Sequence, residues 1–301
     1  MLCLMLSYSL LSQVEIKENK SWCNLNCEYT AQDRATADLL HLRMKNDSIM
    51  KLVHKDSLRR FPIRFGIVQK QTSEISQSEL VLRTVIDNLN HSFREAHFLF
   101  YLESVDIIHS DLYLEDLSHN QFNIYDSFSA ENDKEDMLTI YVLDHKTEFC
   151  VETPRSVSCG RTGGFSYILS DRTNNVVVSE FDLLDTKIVA HEVAHFFGLY
   201  HTFEEQLFGK DRFDPEDCDI TGDRICDTPP DPGTVYEIYA NYTTCEMAGY
   251  RDARGNEYKP LLENYMSYYK PCYLKEYSFT PEQILVMKVA CTLPIRSVLS
   301  R

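Results

Sequence analysis

Residues 191–201 read His-Glu-Val-Ala-His-Phe-Phe-Gly-Leu-Tyr-His, and this stretch decides the fold because it sets three imidazoles and a carboxylate on one short segment. His191 and His195 are four apart, so on a helix they share a face and both rings can reach one ion. Gly198 can take the left-handed conformation that ends a helix without strain, which lets the chain turn and present His201 as a third ligand. Three neutral nitrogens at about 2.0–2.1 Å suit a tetrahedral Zn²⁺ and leave a fourth position open to water, as in catalytic sites. Glu192, one residue after the first ligand and angled off the histidine face, is expected to be the general base acting on that water.

The 301 residues suit one large domain with or without a short extension, and 44% hydrophobic content can fill a core. A formal net charge of −16 with no block of lysine or arginine argues against a phosphate-binding surface, and so against nucleic acid as a partner. The acidity is that of a solvated surface, with cationic substrates or calcium as alternatives. Ten cysteines point to an oxidising compartment. Cys150 and Cys159 bracket a short loop, and Cys218, Cys226, Cys245 and Cys272 follow the histidine motif. These six are the disulfide candidates, and the last four allow three pairings between which sequence does not choose. Sequons at Asn19, Asn46, Asn90 and Asn241 fit a glycoprotein on the secretory route.

Residues 1–12 open with an apolar run, Met1 to Leu11, too short to span a bilayer. It resembles the apolar core of a signal peptide but has no basic n-region, so an atypical signal, a start further upstream and a buried apolar terminus all remain open. Residues 13–59 are charged and weakly periodic and are expected to form a pro-segment or N-terminal extension. Its Cys23 and Cys27 are a disulfide candidate or, alternatively, a source of a thiolate that would fill the open zinc position. Residues 60–301 are expected to form the catalytic domain. The expectation is a secreted protein with no stable membrane span and an oligomeric state that the sequence does not define.

From Phe61 the pattern becomes that of an α/β unit. Ile63, Phe65 and Ile67 alternate as one face of a strand. Ser76 and Glu79 read as a capping box, and Leu82, Val85, Ile86, Leu89 and Phe93 recur at helical spacing as a core-facing stripe. His97 to Leu102 and Met137 to Leu143 read as further strands, with an acidic excursion of loops between them. Phe165 to Leu169 and Val176 to Val178 are two more strand candidates, one of them a sheet edge that could accept an extended peptide as an added strand. The other histidines, at positions 41, 54, 91, 97, 109, 119 and 145, fit no ligand pattern. Near the C-terminus Thr280, Pro281 and Gln283 form a helix-start signal.

The 191–201 string is a zinc protease signature. Downstream of it, Asn264-Tyr265-Met266-Ser267-Tyr268 reads as a Met-turn, and the combination resembles the metzincins. His201-Thr202-Phe203, the run Gly222 to Pro229, Cys272 and Phe279 to Gln283 sharpen the match, and the chain is similar to the pappalysin family from about Thr186 to Ala290. That resemblance implies an α+β fold. A mixed twisted sheet with two long helices would form an upper subdomain, and an irregular disulfide-bonded segment a lower one. It implies one catalytic zinc on His191, His195 and His201, with Met266 as an apolar floor and Tyr268 hydrogen-bonding the oxyanion. It implies endoproteolysis of protein or peptide substrates through a zinc-bound water activated by Glu192. Ala194 stands where relatives commonly carry glycine. The wall beyond the scissile bond would be Tyr269-Lys270-Pro271, which lacks the carboxylate of relatives that cleave before basic residues. The loop with Asp219, Asp223 and Asp227 is a candidate for structural calcium, and a solvated acidic loop is the alternative. Two rival readings are a catalytically silent zinc-containing binding module, which would need neither Glu192 nor Tyr268, and an exopeptidase with a cleft blocked at one end.

Overall fold

The computed structural model describes residues 31–53, 57–69, 77–110, 122–143, 147–153, 156–169, 173–204, 213–214, 216–297 and 299. The apolar opening and the Cys23/Cys27 pair lie outside the described residues. The described residues open with two helices, α1 (Ala31–Met44) and α2 (Asp47–Val53), whose Leu40 and Val53 are buried in the main core. Asn46 starts α2 by accepting from the backbone N–H groups of Ser48 and Ile49.

The strand β1 (Arg59–Gln69) is buried along nearly its whole length, as a central strand covered on both faces must be. Phe61, Ile63, Phe65 and Ile67 enter the main core, while Val68 joins a second cluster with Tyr125, Phe128, Tyr141 and Val177. Helix α3 (Glu79–Ser92) buries the expected stripe of Leu82, Val85, Ile86 and Leu89. Its cap is Ser78, whose side chain accepts from the Val81 N–H, so the capping-box reading of Ser76 and Glu79 is corrected: Glu79 is already the first helical residue. Strand β2 (Phe98–His109) follows and pairs in parallel with β1.

The excursion expected to be loops contains a helix, α4 (Phe122–Asn132). Its Tyr125 and Phe128, three apart, are buried in the second cluster. Strand β3 (Leu138–Leu143) is wholly buried. A hairpin of β4 (Thr147–Thr153) and β5 (Ser156–Thr162) then sets the backbone of Cys150 directly opposite Cys159. The expected strand from Phe165 to Leu169 shortens to β6 (Gly164–Phe165), because Leu169 has a φ of 47° and leaves the extended conformation. Strand β7 (Asn175–Ser179) completes a five-stranded sheet in the order β2-β1-β3-β7-β6. The first four strands are parallel and β6 is antiparallel to β7, leaving β6 at the edge.

Helix α5 (Thr186–Phe196) carries the histidine motif across the sheet, and eight of its consecutive residues from Val189 to Phe196 are buried. Asp185 caps its start, accepting from the N–H groups of Lys187 and Ile188. At its end Phe197 packs edge-on against Phe61, with ring centroids 5.2 Å apart, beside Phe93 and Phe98.

Below α5 the chain becomes irregular. It contains a minimal hairpin of β8 (Ala240–Asn241) and β9 (Glu246–Met247) and its own small core of Met247, Tyr258, Leu262 and Tyr269. Disulfides Cys218–Cys226 and Cys245–Cys272 staple it. Helix α6 (Pro281–Ala290) starts with the full capping box of Thr280 and Gln283, and the short α7 (Pro294–Ser297) closes the domain. Among the described residues, no helix is long and apolar enough to cross a membrane.

Candidate metal centre

The Nε2 atoms of His191, His195 and His201 lie 3.0, 3.1 and 3.2 Å from one another, all buried. Gly198, with a φ of 95°, ends α5 and turns the chain so that His201 meets the two helical histidines. The remaining ring nitrogens of His191 and His195 fix their tautomers. His191 Nδ1 donates to the Tyr265 carbonyl at 2.8 Å and His195 Nδ1 to the Leu199 carbonyl at 2.6 Å. Protons on Nδ1 leave lone pairs on Nε2, and lone pairs turned on one another at this distance repel unless a cation sits among them. Ligands at about 2.0–2.1 Å around a tetrahedral ion stand about 3.3 Å apart, so the donor set fits Zn²⁺. Burial holds all three rings below the usual histidine range, the neutral form that ligation requires.

Glu192 is buried, and its Oε2 has no hydrogen-bond partner among the described residues. Burial pushes its carboxyl well above the usual carboxylate range. It sits against the edge strand: a Cβ placed on Gly164 would come within 2.9 Å of Glu192 Cγ and 2.8 Å of the Val177 carbonyl oxygen. Only a glycine leaves room there for the carboxyl group.

Met266 is fully buried in the main core, and its carbonyl accepts from the Thr202 N–H at 3.2 Å, tying the turn to the residue after the third histidine. Asn264 shapes that turn through a reciprocal amide pair with Gln283 of α6 and by accepting from the Met266 N–H. The Tyr268 hydroxyl lies 3.0 Å from His201 Nε2, at the mouth of the three nitrogens. Phe203 stacks on His201 and meets the Tyr268 ring edge-on.

A buried polar network supports this side. Asp231 accepts from Thr202 Oγ1 at 2.6 Å, from the Tyr269 hydroxyl at 2.7 Å and from the Gly233 N–H at 2.8 Å. Sequence reasoning missed Tyr265, Gly164 and Asp231. Tyr265 lay inside the quoted turn, but its role is a backbone carbonyl that no side-chain pattern signals.

The calcium candidates go to separate partners. Asp219 meets Lys45 at 3.1 Å, Asp223 accepts from Thr228 Oγ1, and Asp227 accepts from Thr280 Oγ1 and the Glu282 N–H. No ligand group containing these three converges among the described residues; another converging set, Cys245, Glu263 and Cys272, has its sulfurs joined in the disulfide.

A mixed sheet, a helix with converging imidazoles and a buried methionine turn bonded to the segments that carry them are those of a metzincin-like protease domain. Residues 172–292, from just before β7 to just past α6, match the peptidase M43 family, described as pregnancy-associated plasma protein-A. That segment, which holds the histidine helix and the methionine turn, is similar to this pappalysin family of metzincins. No curated protein matches it.

Proposed function

We propose that the protein is a secreted zinc metalloendopeptidase that hydrolyses internal peptide bonds of protein substrates. The observation that carries this reading is the buried Glu192 carboxyl, with an oxygen left unpartnered beside three converging imidazoles. Zinc, when bound by His191, His195 and His201, supplies the Lewis acid. Glu192 takes a proton from the attacking water as the water oxygen bonds to the scissile carbonyl carbon. The same carboxyl then delivers that proton to the amide nitrogen as the C–N bond breaks. Tyr268 donates its phenolic hydrogen to the developing oxyanion. Strand β6, at the sheet edge, offers main-chain groups to an extended substrate. The disulfides Cys218–Cys226 and Cys245–Cys272 support folding in an oxidising compartment.

Metal analysis of the purified chain, with cleavage of an unbiased peptide library before and after chelation, tests this reading. Internal cleavage abolished by the chelator and by Glu192→Gln, with zinc retained in that variant, is the expected result. Bound zinc without cleavage would instead support a silent binding module, and cleavage restricted to chain ends an exopeptidase.

A further inference from the structure

Lys187 is a charge on α5 that the chemistry above leaves without a role. It lies one turn before His191, so Lys187, His191 and His195 follow one another along a single face of the helix. Its Nζ donates to the Tyr269 carbonyl and sits 4.3 Å from the centroid of the Tyr277 ring, while the Tyr277 hydroxyl donates to the same carbonyl at 2.9 Å. The nearest carboxylates are engaged elsewhere: Asp185 caps α5, and Asp231 serves Thr202 and Tyr269. Among the described residues Lys187 makes no ion pair. A half-buried ammonium with spare donors, on the metal-facing side of the helix, calls for an anionic partner.

The backbone fixes which part of a substrate would meet it. From Gly163 to Leu169 the chain runs alongside α5 in the helix's own direction. The Cβ position of Gly163 falls 2.8 Å from Ile188 Cδ1, that of Gly164 beside Glu192, and the Leu169 N–H donates to the His195 carbonyl at 3.1 Å. An extended peptide added to β6 in the more stable antiparallel sense runs the opposite way, from the His195 end towards the Ile188 end. Residues after the scissile bond therefore move from the three histidines towards Lys187. The Tyr268 hydroxyl stands at the His201 end of that path and the Tyr269 carbonyl at the Lys187 end.

We propose that Lys187 determines specificity for the residue immediately after the scissile bond, and that the substrates are polypeptides with Asp or Glu at that position. This rests on the protease reading above. The overall charge of −16 does not oppose it at contact range, because salt screens distant charges over about 8 Å.

The test uses zinc-loaded full-length protein and a peptide series varied only at that position, as Asp, Glu, Gln, Ala or Lys. Wild type is expected to show kcat/KM at least about tenfold higher for Glu than for Lys, the scale of a hydrogen bond to a charged group. Lys187→Met should flatten the series, Lys187→Glu should invert it, and Lys187→Arg should keep it. Calorimetric binding of the Glu and Lys peptides to Glu192→Gln should give the same order without turnover. A wild-type preference for Lys, or an unchanged preference in a folded, zinc-replete Lys187→Met, would overturn the assignment while leaving the protease intact. If neither the Met nor the Glu variant folds, equal affinity of Glu192→Gln for the two peptides overturns it. Failure of wild type to cleave any peptide would overturn both readings.

Discussion

Gly164 is pressed against Glu192: the Cβ that any other residue would carry there meets Glu192 Cγ at 2.9 Å and Oε1 at 3.2 Å. The same Cβ would meet the Val177 carbonyl at 2.8 Å, so β6 cannot simply shift towards β7 to make room. Gly164→Ala is therefore expected to displace the carboxyl and lower kcat by about 100-fold, the scale of an ångström of misplacement. Zinc content should be unchanged, since the three histidines lie elsewhere on the helix face. Equal kcat in the variant, measured beside metal stoichiometry, would remove Gly164 from any positioning role.

Arg296 is 1% exposed and reaches back over the end of α5. Its Nε donates to the Phe196 carbonyl at 3.0 Å, NH1 donates to Asn174 Oδ1 at 3.2 Å, and the guanidinium lies 3.7 Å from the centroid of the Phe196 ring. A cation at a helix C-terminus also meets the negative end of the macrodipole. Arg296→Met should cost about 2–3 kcal/mol by stranding these acceptors and lower Tm by roughly 5–10 °C. Arg296→Lys should recover little, because a point charge cannot fork to two acceptors and stack at once. Thermal melts of the three proteins decide it.

The two disulfides among the described residues should differ in worth. Cys245–Cys272 closes a sequence separation of 27 and Cys218–Cys226 one of 8. In the chain-entropy account these loops contribute about 3.6 and 2.6 kcal/mol. Opening Cys245–Cys272 by paired serine substitution should destabilise more, with the further loss of packing in the Tyr258–Leu262–Tyr269 core. Denaturant titration of the two double variants should reveal this order; the reverse order would place the main staple at the 218–226 loop.

The histidine motif was legible because its chemistry depends on spacing within one helix and one glycine turn, both local. Helix α6 was legible for the same reason, since Thr280, Pro281 and Gln283 state its start in adjacent positions. Helix α4 was not, because the run Phe122 to Asn132 shows no sustained stripe at helical spacing, and packing of residues such as Tyr125 and Phe128 makes it helical. The wall of the site was partly legible: Tyr269 could be named, but its carbonyl is bound by a lysine 82 residues away. The bond between Tyr265 and His191 spans 74 residues and has the same character. Contacts of that range through backbone atoms leave no pattern in the chain.

The selectivity proposed for Lys187 should carry its own pH dependence. Burial lowers its pKa to about 8, against the opposing pull of Asp185 and Asp231. The other titratable groups around it are His191, held neutral by burial, and Tyr269 and Tyr277, whose phenols burial pushes upward, away from this range. Lys187 is therefore the group that changes charge near pH 8. Below that pH the ammonium is present and Glu is favoured over Gln after the scissile bond. As pH rises through 8 the proton leaves, and the ratio of kcat/KM values for the two peptides should fall towards one. The ratio cancels titrations common to both substrates, and kcat/KM reports the free enzyme, so the transition belongs to the unliganded lysine. Lys187→Arg, which stays charged, should hold the ratio flat to pH 10. A wild-type ratio that is also flat from pH 7 to 10 would show that no titrating cation governs the choice between Glu and Gln.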